Sequence, residues 1–228
     1  MLFQKIDSHF NNALKPAFAS WLPTKHEKKA IALRRFVEEL GRVDQIWPWV
    51  ESHHGLTVAV DAPHAVTPES FSYEQLSKKI SNAASAFRSF GIQKGDVVAL
   101  FSENSPRWLI ADQGMMRLDA INAVRGASAP LDELRYILKD SRAIAIVIQN
   151  AELWEKLDLP LEQIERFKLV LQLEGEPVKG VVGWDAFLST GLKNNYLDPM
   201  IGRDPSSAWT SIATILYTSG TTGKPKGV

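Results

Sequence analysis

Short apolar segments alternate with amphipathic ones between Phe71 and Leu173, and this alternation constrains the fold more than any other feature of the sequence. The segment from Val97 to Phe101 is continuously apolar, as expected for a strand that is covered on both faces. Residues Glu74 to Phe90 carry an apolar stripe at helical spacing, and Gly91 follows as a helix cap. Strands and helices in alternation are typical of a layered α/β domain, which is the fold class that we predict.

The same alternation predicts the remaining elements of this domain. Ser105 and Pro106 favour a helix start, because the serine hydroxyl caps free amides and proline needs no amide in the first turn. The other predicted elements are a short strand from Phe71 to Tyr73, the helix from Ser105 to about Leu118, a strand from Ile121 to Val124, a helix from Leu131 to Asp140, a strand from Ile144 to Ile148, and units at Leu153 to Leu157, Lys168 to Leu173 and Trp184 to Leu188. Proline, glycine and paired polar residues from Gly191 to Ser211 predict a long loop before a last strand, Ile212 to Tyr217.

A mainly helical segment is predicted to precede the α/β domain, from Leu2 to about Val50 with a stop at Gly41. The aromatic stretch from Ile46 to Val50 is interrupted by a proline, and its tryptophans suit packing on the domain or contact with a membrane interface. We predict three parts: a helical segment over residues 1–56, an α/β portion over 57–211, and a strand with its loop over 212–228.

Charge balance and the absence of cysteine exclude several classes of function. Lysine plus arginine number 26 and aspartate plus glutamate 26, so the net basic charge typical of nucleic-acid binding is absent and no such partner is expected. With no cysteine, a disulfide framework, a thiolate metal site and a cysteine nucleophile are excluded. Apolar runs such as Ala143 to Ile148 are far shorter than the ~20 residues of a membrane-spanning helix.

A loop rich in glycine, hydroxyl and lysine residues, Thr218 to Gly227, follows the last predicted strand. Glycines allow backbone amides to curl around anionic oxygens, hydroxyls donate further hydrogen bonds, and lysines supply positive charge. Gly220 and Gly223 are three residues apart and Pro225 follows the lysine, so the loop is not the common P-loop. On this chemistry alone, a polyphosphate site and a surface hairpin or linker both stay open.

Tyr217 to Val228 resembles the phosphate-loop signature of the adenylate-forming superfamily at every position. The resemblance implies the N-terminal portion of the large layered domain of those enzymes. It also implies ATP, with magnesium in the complete enzyme: the loop holds the β- and γ-phosphates while a carboxylate attacks the α-phosphate, giving acyl-adenylate and pyrophosphate, and a thiol then takes the acyl group. The implied phosphate contacts are Thr218, Ser219, Gly220, Thr221, Thr222, Gly223 and Lys224.

Upstream segments resemble long-chain fatty acyl ligases, in particular acyl-acyl-carrier-protein synthetases of cyanobacteria and plastids. The sequence departs at Arg117-Leu-Asp119, where those proteins usually have a glycine-containing turn. The resemblance implies a medium or long fatty acid as substrate and acyl carrier protein or coenzyme A as acceptor. It leaves open a cytoplasmic or peripheral membrane location, or a plastid if the source is a plant. The segments are Asp61 to Ala65, Phe71 to Leu76, Glu103 to Gly114 and Ala123 to Gly126.

Several other polar residues are assigned structural roles rather than catalytic ones. Taken as neighbours on a strand, His53 and His54 point to opposite faces, and neither they nor His64 have the spacing that completes a metal site. Asp61 and Asp112 are expected to serve a turn and a helix face. Arg107 and Arg125 are expected to form ion pairs with Asp112 or Glu103 rather than to bind a carboxylate, and Tyr217 is expected to belong to the core rather than to contact nucleotide.

The resemblance also implies parts that the 228 residues do not contain. In the superfamily the adenine-binding motif, the acidic residue for magnesium, and the C-terminal domain with its catalytic lysine all follow the phosphate loop. We therefore expect no catalytic residue within this chain, a loop that is unsupported on its C-terminal side, and no ligase activity of these residues alone. The alternative is a non-catalytic nucleotide-binding or interaction module that retains only the scaffold.

Overall fold

The computed structural model of the chain contains a largely parallel sheet with helices on both faces. It describes residues 30–32, 34–35, 45–194, 211–218 and 225–228. Residues 1–41 and 42–228 form two compact units, and within the first unit residues 30–32 and 34–35 are helical. The rest of the predicted helical segment before residue 45 lies outside the described residues. The predicted part boundaries at residues 56 and 211 stay predictions.

Strands and helices of the second unit alternate from Glu69 to Leu157, as predicted. In chain order they are α1 (Ile46–His54), β1 (Val58–Ala62), β2 (Glu69–Ser72), α2 (Tyr73–Ser89), β3 (Val97–Phe101), α3 (Pro106–Met116), β4 (Ile121–Arg125), α4 (Leu131–Asp140), β5 (Ala145–Ile148), α5 (Ala151–Leu157), α6 (Leu161–Ile164), β6 (Val170–Gln172), β7 (Val182–Gly183), α7 (Trp184–Lys193), β8 (Thr214–Thr218) and β9 (Lys226–Gly227). The α/β fold class is therefore confirmed.

Within the described residues, the main sheet has the strand order β7-β6-β5-β3-β4-β8-β9. Neighbouring strands from β7 to β8 are parallel, whereas β8 and β9 are antiparallel. Strands β1 and β2 form a separate antiparallel pair. The central position predicted for the strand from Val97 to Phe101 is confirmed, because β3 lies between β5 and β4.

The two faces of β3 belong to different halves of the core. Val98 and Leu100 are fully buried among residues of α2, α3 and α7. Ala99 and Phe101 are fully buried among residues of α4 and α5. This alternation explains why the strand is apolar at every position, since each face is covered by helices.

Local signals fix the starts and ends of the helices, and those predicted at Ser105, Pro106 and Gly91 are confirmed. The Ser72 hydroxyl accepts a hydrogen bond from the Gln75 amide, and the Gln75 side chain accepts one from the Ser72 amide, which completes a capping box before α2. Ser105 accepts from the Trp108 amide at 3.1 Å and Pro106 occupies the first turn of α3. Gly91 follows α2 with a φ of 82°, a conformation that glycine adopts without strain.

Two expectations about local structure are wrong. The proline of the segment from Ile46 to Val50 does not interrupt it, because α1 starts at Ile46 and Pro48 lies in the first turn, where its missing amide costs no hydrogen bond. The loop predicted to begin at Gly191 begins later, because Gly191 to Lys193 form the last turn of α7. The rest of that predicted loop, from residue 195 to 210, lies outside the described residues.

The turn between α3 and β4 is the place where the sequence departs from its family pattern. Asp119 has a φ of 57°, a left-handed conformation that aspartate tolerates better than alanine does. Its carbonyl accepts a hydrogen bond from the Gly95 amide at 2.8 Å, which holds the turn in place. Aspartate therefore occupies a position for which glycine is the ordinary choice.

We expect the Asp119→Gly variant to be more stable than the Asp119→Ala variant by about 1 kcal/mol, because alanine is strained at positive φ. Both variants lose the carboxylate that lies 3.6 Å from the Lys94 ammonium, so the comparison isolates the backbone effect. Urea denaturation of both variants measures the difference. Equal midpoints would contradict the assignment of backbone strain to this turn.

No helix in the described part of the chain is long and apolar enough to cross a membrane. Trp47 and Trp49 of α1 are both half-buried. Trp47 packs against the core, and its indole nitrogen donates to the Gln113 side chain at 2.7 Å. The expected packing of this aromatic stretch on the domain is confirmed for Trp47.

Candidate functional site

The carboxyl ends of β3, β4 and β8 lie at one edge of the sheet, because these neighbouring strands run parallel. Val124 of β4 pairs with Leu216 of β8, so the two strands end close to each other, β4 at Arg125 and β8 at Thr218. In open α/β sheets, ligands bind outside the carboxyl ends of the strands. The loop predicted to bind phosphate starts at this edge.

Thr218 is the predicted phosphate contact that the structure describes. It is the last residue of β8 and is exposed. The other six predicted contacts, Ser219, Gly220, Thr221, Thr222, Gly223 and Lys224, lie outside the described residues. Their roles stay predictions.

The two ends of this loop are joined by a ladder between β8 and β9. Thr218 pairs with Lys226 and Tyr217 pairs with Gly227. Leu216 and Val228 exchange both backbone hydrogen bonds at 3.0 Å. The expectation that the loop is unsupported on its C-terminal side is therefore wrong, because the strand after it returns antiparallel to the strand before it. A hairpin and a phosphate site are compatible here, since the ladder fixes the ends of the loop.

Tyr217 anchors β8 immediately before the loop. Its ring is buried in the core, as predicted, and its hydroxyl donates to Asp140 at 2.8 Å. Burial, followed by the hydrogen bond to Asp140, raises the pKa of the Tyr217 phenol well above its usual range. Tyr136 donates to the other carboxylate oxygen of Asp140 at 3.2 Å. Asp140, the last residue of α4, thus links this helix to β8 through the Tyr217 hydroxyl.

A cavity of about 550 Å³ opens at the same edge, lined by the residues that follow β3, β4 and β5. The chain leaves β3 toward β4 on one side and leaves β5 toward β6 on the other, so the cavity lies where the connections diverge. Its polar lining residues are Glu103, Ser128, Gln149, Asn150, Glu152 and Lys156. The lining residues all come from segments that follow the end of a predicted strand. This position in the sequence is the signal that could have identified them.

Glu103 holds the loops of this edge together. Its carboxylate accepts from the Ser128 amide at 3.1 Å and from the Ser128 hydroxyl at 2.8 Å, and its own amide donates to Gln149 at 2.9 Å. Hydrogen bonds from the Ser128 amide and hydroxyl lower the pKa of Glu103. A Cβ atom at Gly126 would lie 3.0 Å from the Glu103 carboxylate, so glycine permits the close approach.

Asp112 has the structural role that the sequence favoured, on a buried face of α3. Asn122 of β4 donates to one of its oxygens, and Gln113 donates to the other at 2.6 Å. Burial raises the pKa of Asp112, which these two hydrogen bonds partly offset. Asp61 is exposed within strand β1, so the turn expected for it is wrong.

Arg107 and Arg125 form ion pairs, as expected, but with partners other than Asp112 and Glu103. Arg107 contacts Glu69 at 3.2 Å and Glu174 at 3.5 Å. The Arg125 Nε atom lies 2.8 Å from Glu133 on α4. The predicted partners are wrong because Asp112 and Glu103 are occupied by neutral donors. The carboxylates that face Arg107 come from distant parts of the chain, and the one that faces Arg125 comes from the following helix.

The histidine pair lies on a helix, so the expected placement on a strand is wrong. His53 and His54 form the last turn of α1, and the His53 ring stacks on Trp49 with ring centroids 4.0 Å apart. His64 is exposed in the turn after β1. Among the residues that the structure describes, no group of three or more histidine, aspartate or glutamate side chains could hold a metal ion.

Comparison with known proteins gives a family match and a set of relatives. A family model described as AMP-binding enzyme matches residues 47–228. A probable acyl-activating enzyme of Arabidopsis thaliana, described as chloroplastic, is 32% identical over 209 residues, covering 82% of this chain and 28% of that protein. A chloroplastic long-chain-fatty-acid acyl-carrier-protein ligase of the same plant is 31% identical over 205 residues, covering 82% of this chain and 27% of that protein. The chain thus spans little more than a quarter of the length of either relative.

Solved structures share the fold. An anthranilate CoA ligase in complex with anthranoyl-AMP matches with a TM-score of 0.68 at 20% identity, over 82% of this chain and 34% of that one. The inhibitor-bound N-terminal domain of FACL13 from Mycobacterium tuberculosis matches with a TM-score of 0.64 at 21% identity, over 82% of this chain and 43% of that one. The predicted fold, an N-terminal portion of the large domain of adenylate-forming enzymes, is confirmed by these matches.

Proposed function

Because this chain belongs to the AMP-binding enzyme family, we propose that it carries the phosphate-binding segment of an ATP-dependent fatty acid ligase. In the proposed reaction the fatty acid carboxylate attacks the α-phosphorus of ATP, forming acyl-adenylate and releasing pyrophosphate. A thiol then attacks the acyl carbonyl, forming a thioester and releasing AMP and the thiol proton. Both steps conserve atoms and charge without an oxidant or reductant.

The observation that carries this proposal is the position of the loop from Thr218 to Lys224. It connects two paired strands at the carboxyl edge of a parallel sheet, the edge at which α/β proteins bind ligands. Paired strands on both sides fix the two ends of the loop, and fixed ends lower the entropy cost of closing a loop around a phosphate. The hydroxyls and Lys224 add donors and positive charge.

The substrate and acceptor rest on the relatives. One relative is a long-chain-fatty-acid acyl-carrier-protein ligase of Arabidopsis thaliana, and another is a long-chain-fatty-acid–CoA ligase of Xenopus laevis. We propose a medium or long fatty acid as substrate and one of these two thiols as acceptor. Peripheral membrane contact and a plastid location are further parts of the proposal, the latter for a plant source.

ATP fits the residues of the loop, whereas magnesium has no dedicated ligand set in the described part of the chain. We propose that magnesium arrives bound to the phosphates of ATP and neutralises part of their charge. The role of this chain is then to hold the β- and γ-phosphates through Thr218 to Lys224, with Lys224 as the cation.

Replacing Lys224 by alanine is expected to weaken ATP binding roughly 10- to 100-fold, because a charge-assisted hydrogen bond is worth about 1.5–3 kcal/mol. Isothermal titration with ATP measures binding to the chain. Fatty-acid-dependent exchange of labelled pyrophosphate into ATP measures the reaction in the complete protein.

The matched control is Lys78→Ala, which removes an exposed lysine of α2. We expect this control to change neither ATP binding nor exchange, and Lys224→Arg to retain most of both. Equal ATP affinity of the Lys224→Ala variant and the parent protein would overturn the phosphate role. Tight ATP binding without any exchange in the complete protein would instead favour a non-catalytic nucleotide-binding module.

A further inference from the structure

A second cavity, of about 640 Å³, lies at the opposite edge of the sheet from the phosphate loop. It is bounded by the last turns of α4, by the residues that enter β5 and by the segment between α5 and β6. These segments meet at the amino ends of β5 and β6, whereas Thr218 ends β8 at the carboxyl edge. We name this cavity the basic cleft, and its volume falls within the range of small-ligand pockets.

The lining of the basic cleft combines an apolar interior with a positively charged rim. Leu138, Ile144, Leu159 and Phe167 supply apolar surface. The charged lining residues are four cations and two carboxylates, namely Arg135, Lys139, Arg142, Arg166, Asp158 and Glu162. The net positive charge favours an anion, and the apolar surface favours an attached hydrocarbon portion.

Two of these cations are available to a ligand. Arg135 is held by Asp132 at 3.0 Å and by the Leu157 carbonyl at 2.9 Å, and Arg166 pairs with Glu162. Lys139 and Arg142, by contrast, are exposed and make no ion pair with any other residue that the structure describes. They lie three residues apart around the end of α4.

The backbone at the rim has a left-handed conformation at two charged residues, an arginine and an aspartate. Arg142 has a φ of 54° and follows Ser141, the C-cap of α4, and Asp158 has a φ of 40° directly after α5. Glycine or asparagine is the usual residue at such helix ends, and a larger residue costs roughly 1 kcal/mol. A charged side chain is therefore present at both positions despite a conformational cost.

We propose that the basic cleft binds an amphipathic anion, with one compact anionic head group and a hydrocarbon chain. The head, a carboxylate or a phosphate monoester, contacts Lys139 and Arg142, because these cations have no competing partner among the described residues. The chain lies on Ile144, Leu159 and Phe167. This site is separate from the proposed adenylation site, and the proposal stands whether or not the chain supports ligation.

The test measures binding of dodecanoate and dodecyl phosphate to the chain by isothermal titration, below their micelle concentrations. Dodecanol and dodecyltrimethylammonium are the uncharged and cationic comparisons. We expect the anions to bind at least tenfold more tightly than either comparison. The anion that binds more tightly has the preferred head group. This result distinguishes a free fatty acid from a phosphate-bearing lipid as the ligand.

The double variant Lys139→Gln and Arg142→Asn removes both free cations, and asparagine tolerates the left-handed conformation at position 142. We expect anion affinity to fall at least tenfold while the Tm stays within a few degrees of the parent value. The variant Leu159→Asp, which adds a negative charge to the lining, is expected to abolish binding. Lys78→Gln removes an exposed charge elsewhere and is expected to leave affinity unchanged.

Three outcomes would overturn the proposal: no anion binding, equal binding of the uncharged alcohol, or equal loss of affinity in the double variant and in Lys78→Gln. Fatty acid could also bind at the proposed adenylation site. Repeating the titration with the Lys224→Ala variant, and with ATP present, distinguishes that site from the basic cleft. We expect neither of them to change binding at the basic cleft. Loss of ATP binding in Lys224→Ala together with intact anion binding would support both proposals independently.

Discussion

Replacing Arg107 by alanine is expected to lower the free energy of unfolding by about 3–5 kcal/mol, because it leaves buried carboxylates without their cation. Arg107 lies between Glu69 and Glu174, and the three side chains are 12%, 16% and 7% exposed. Its guanidinium also donates to the Leu173 carbonyl, so the residue joins β2, α3 and the segment after β6. Urea denaturation at neutral pH measures the change from midpoint and slope.

Two further variants distinguish the effect of removing a buried cation from the effect of removing any arginine. Arg166→Ala removes an exposed partner of Glu162, so we expect it to change stability little. Arg107→Met combined with Glu69→Gln and Glu174→Gln removes all three charges. We expect it to be more stable than Arg107→Ala, because no uncompensated charge remains. A loss in Arg107→Ala no larger than that in Arg166→Ala would refute the role of Arg107 as a buried cation.

The sequence predicted the elements of the sheet well because their determinants are local. The strand Val97–Phe101 and the helix Leu131–Asp140 have the predicted bounds, since both are marked by apolar patterning and by residues that cannot continue the element. The partners of Arg107 could not be predicted in the same way. Glu69 and Glu174 are 38 and 67 residues away along the chain, and only the folded sheet brings them together.

The chemistry of the candidate site was predictable from the sequence, whereas the contacts that hold its strands in place were not. Glycines, hydroxyls and Lys224 pointed to phosphate from residue type alone. A hairpin was one of the alternatives that the sequence left open, but the pairing of β8 with β9 could not be predicted, because a ladder of two residues has no detectable periodicity. The hydrogen bond from Tyr217 to Asp140 spans 77 residues, and it joins a strand end to a helix end that no local pattern relates.

Gly191 supplies the second test of large expected effect, because it lies where α7 packs against α2. A Cβ atom at this position would be 2.2 Å from the Asn82 carbonyl oxygen and 3.0 Å from the Ala86 amide nitrogen. Both atoms belong to the backbone of α2, so no side-chain rotation relieves the overlap. The helices cannot simply separate, since Phe87 and Phe187 pack edge to face across the same contact with ring centroids 4.7 Å apart.

Gly191→Ala is therefore expected to lower the free energy of unfolding by about 3 kcal/mol, the upper part of the usual range for overpacking. The sign of this change in the free energy of unfolding is informative, because a change from glycine to alanine within a helix ordinarily stabilises a protein by about 1 kcal/mol. Ser189→Ala, at an exposed position of the same helix, keeps the propensity gain without the overlap and is expected to be neutral or slightly stabilising. Chemical denaturation of the two variants compares them directly. Stabilisation by Gly191→Ala would mean that α2 and α7 lie further apart than described, and the packing that covers this face of the sheet would need revision.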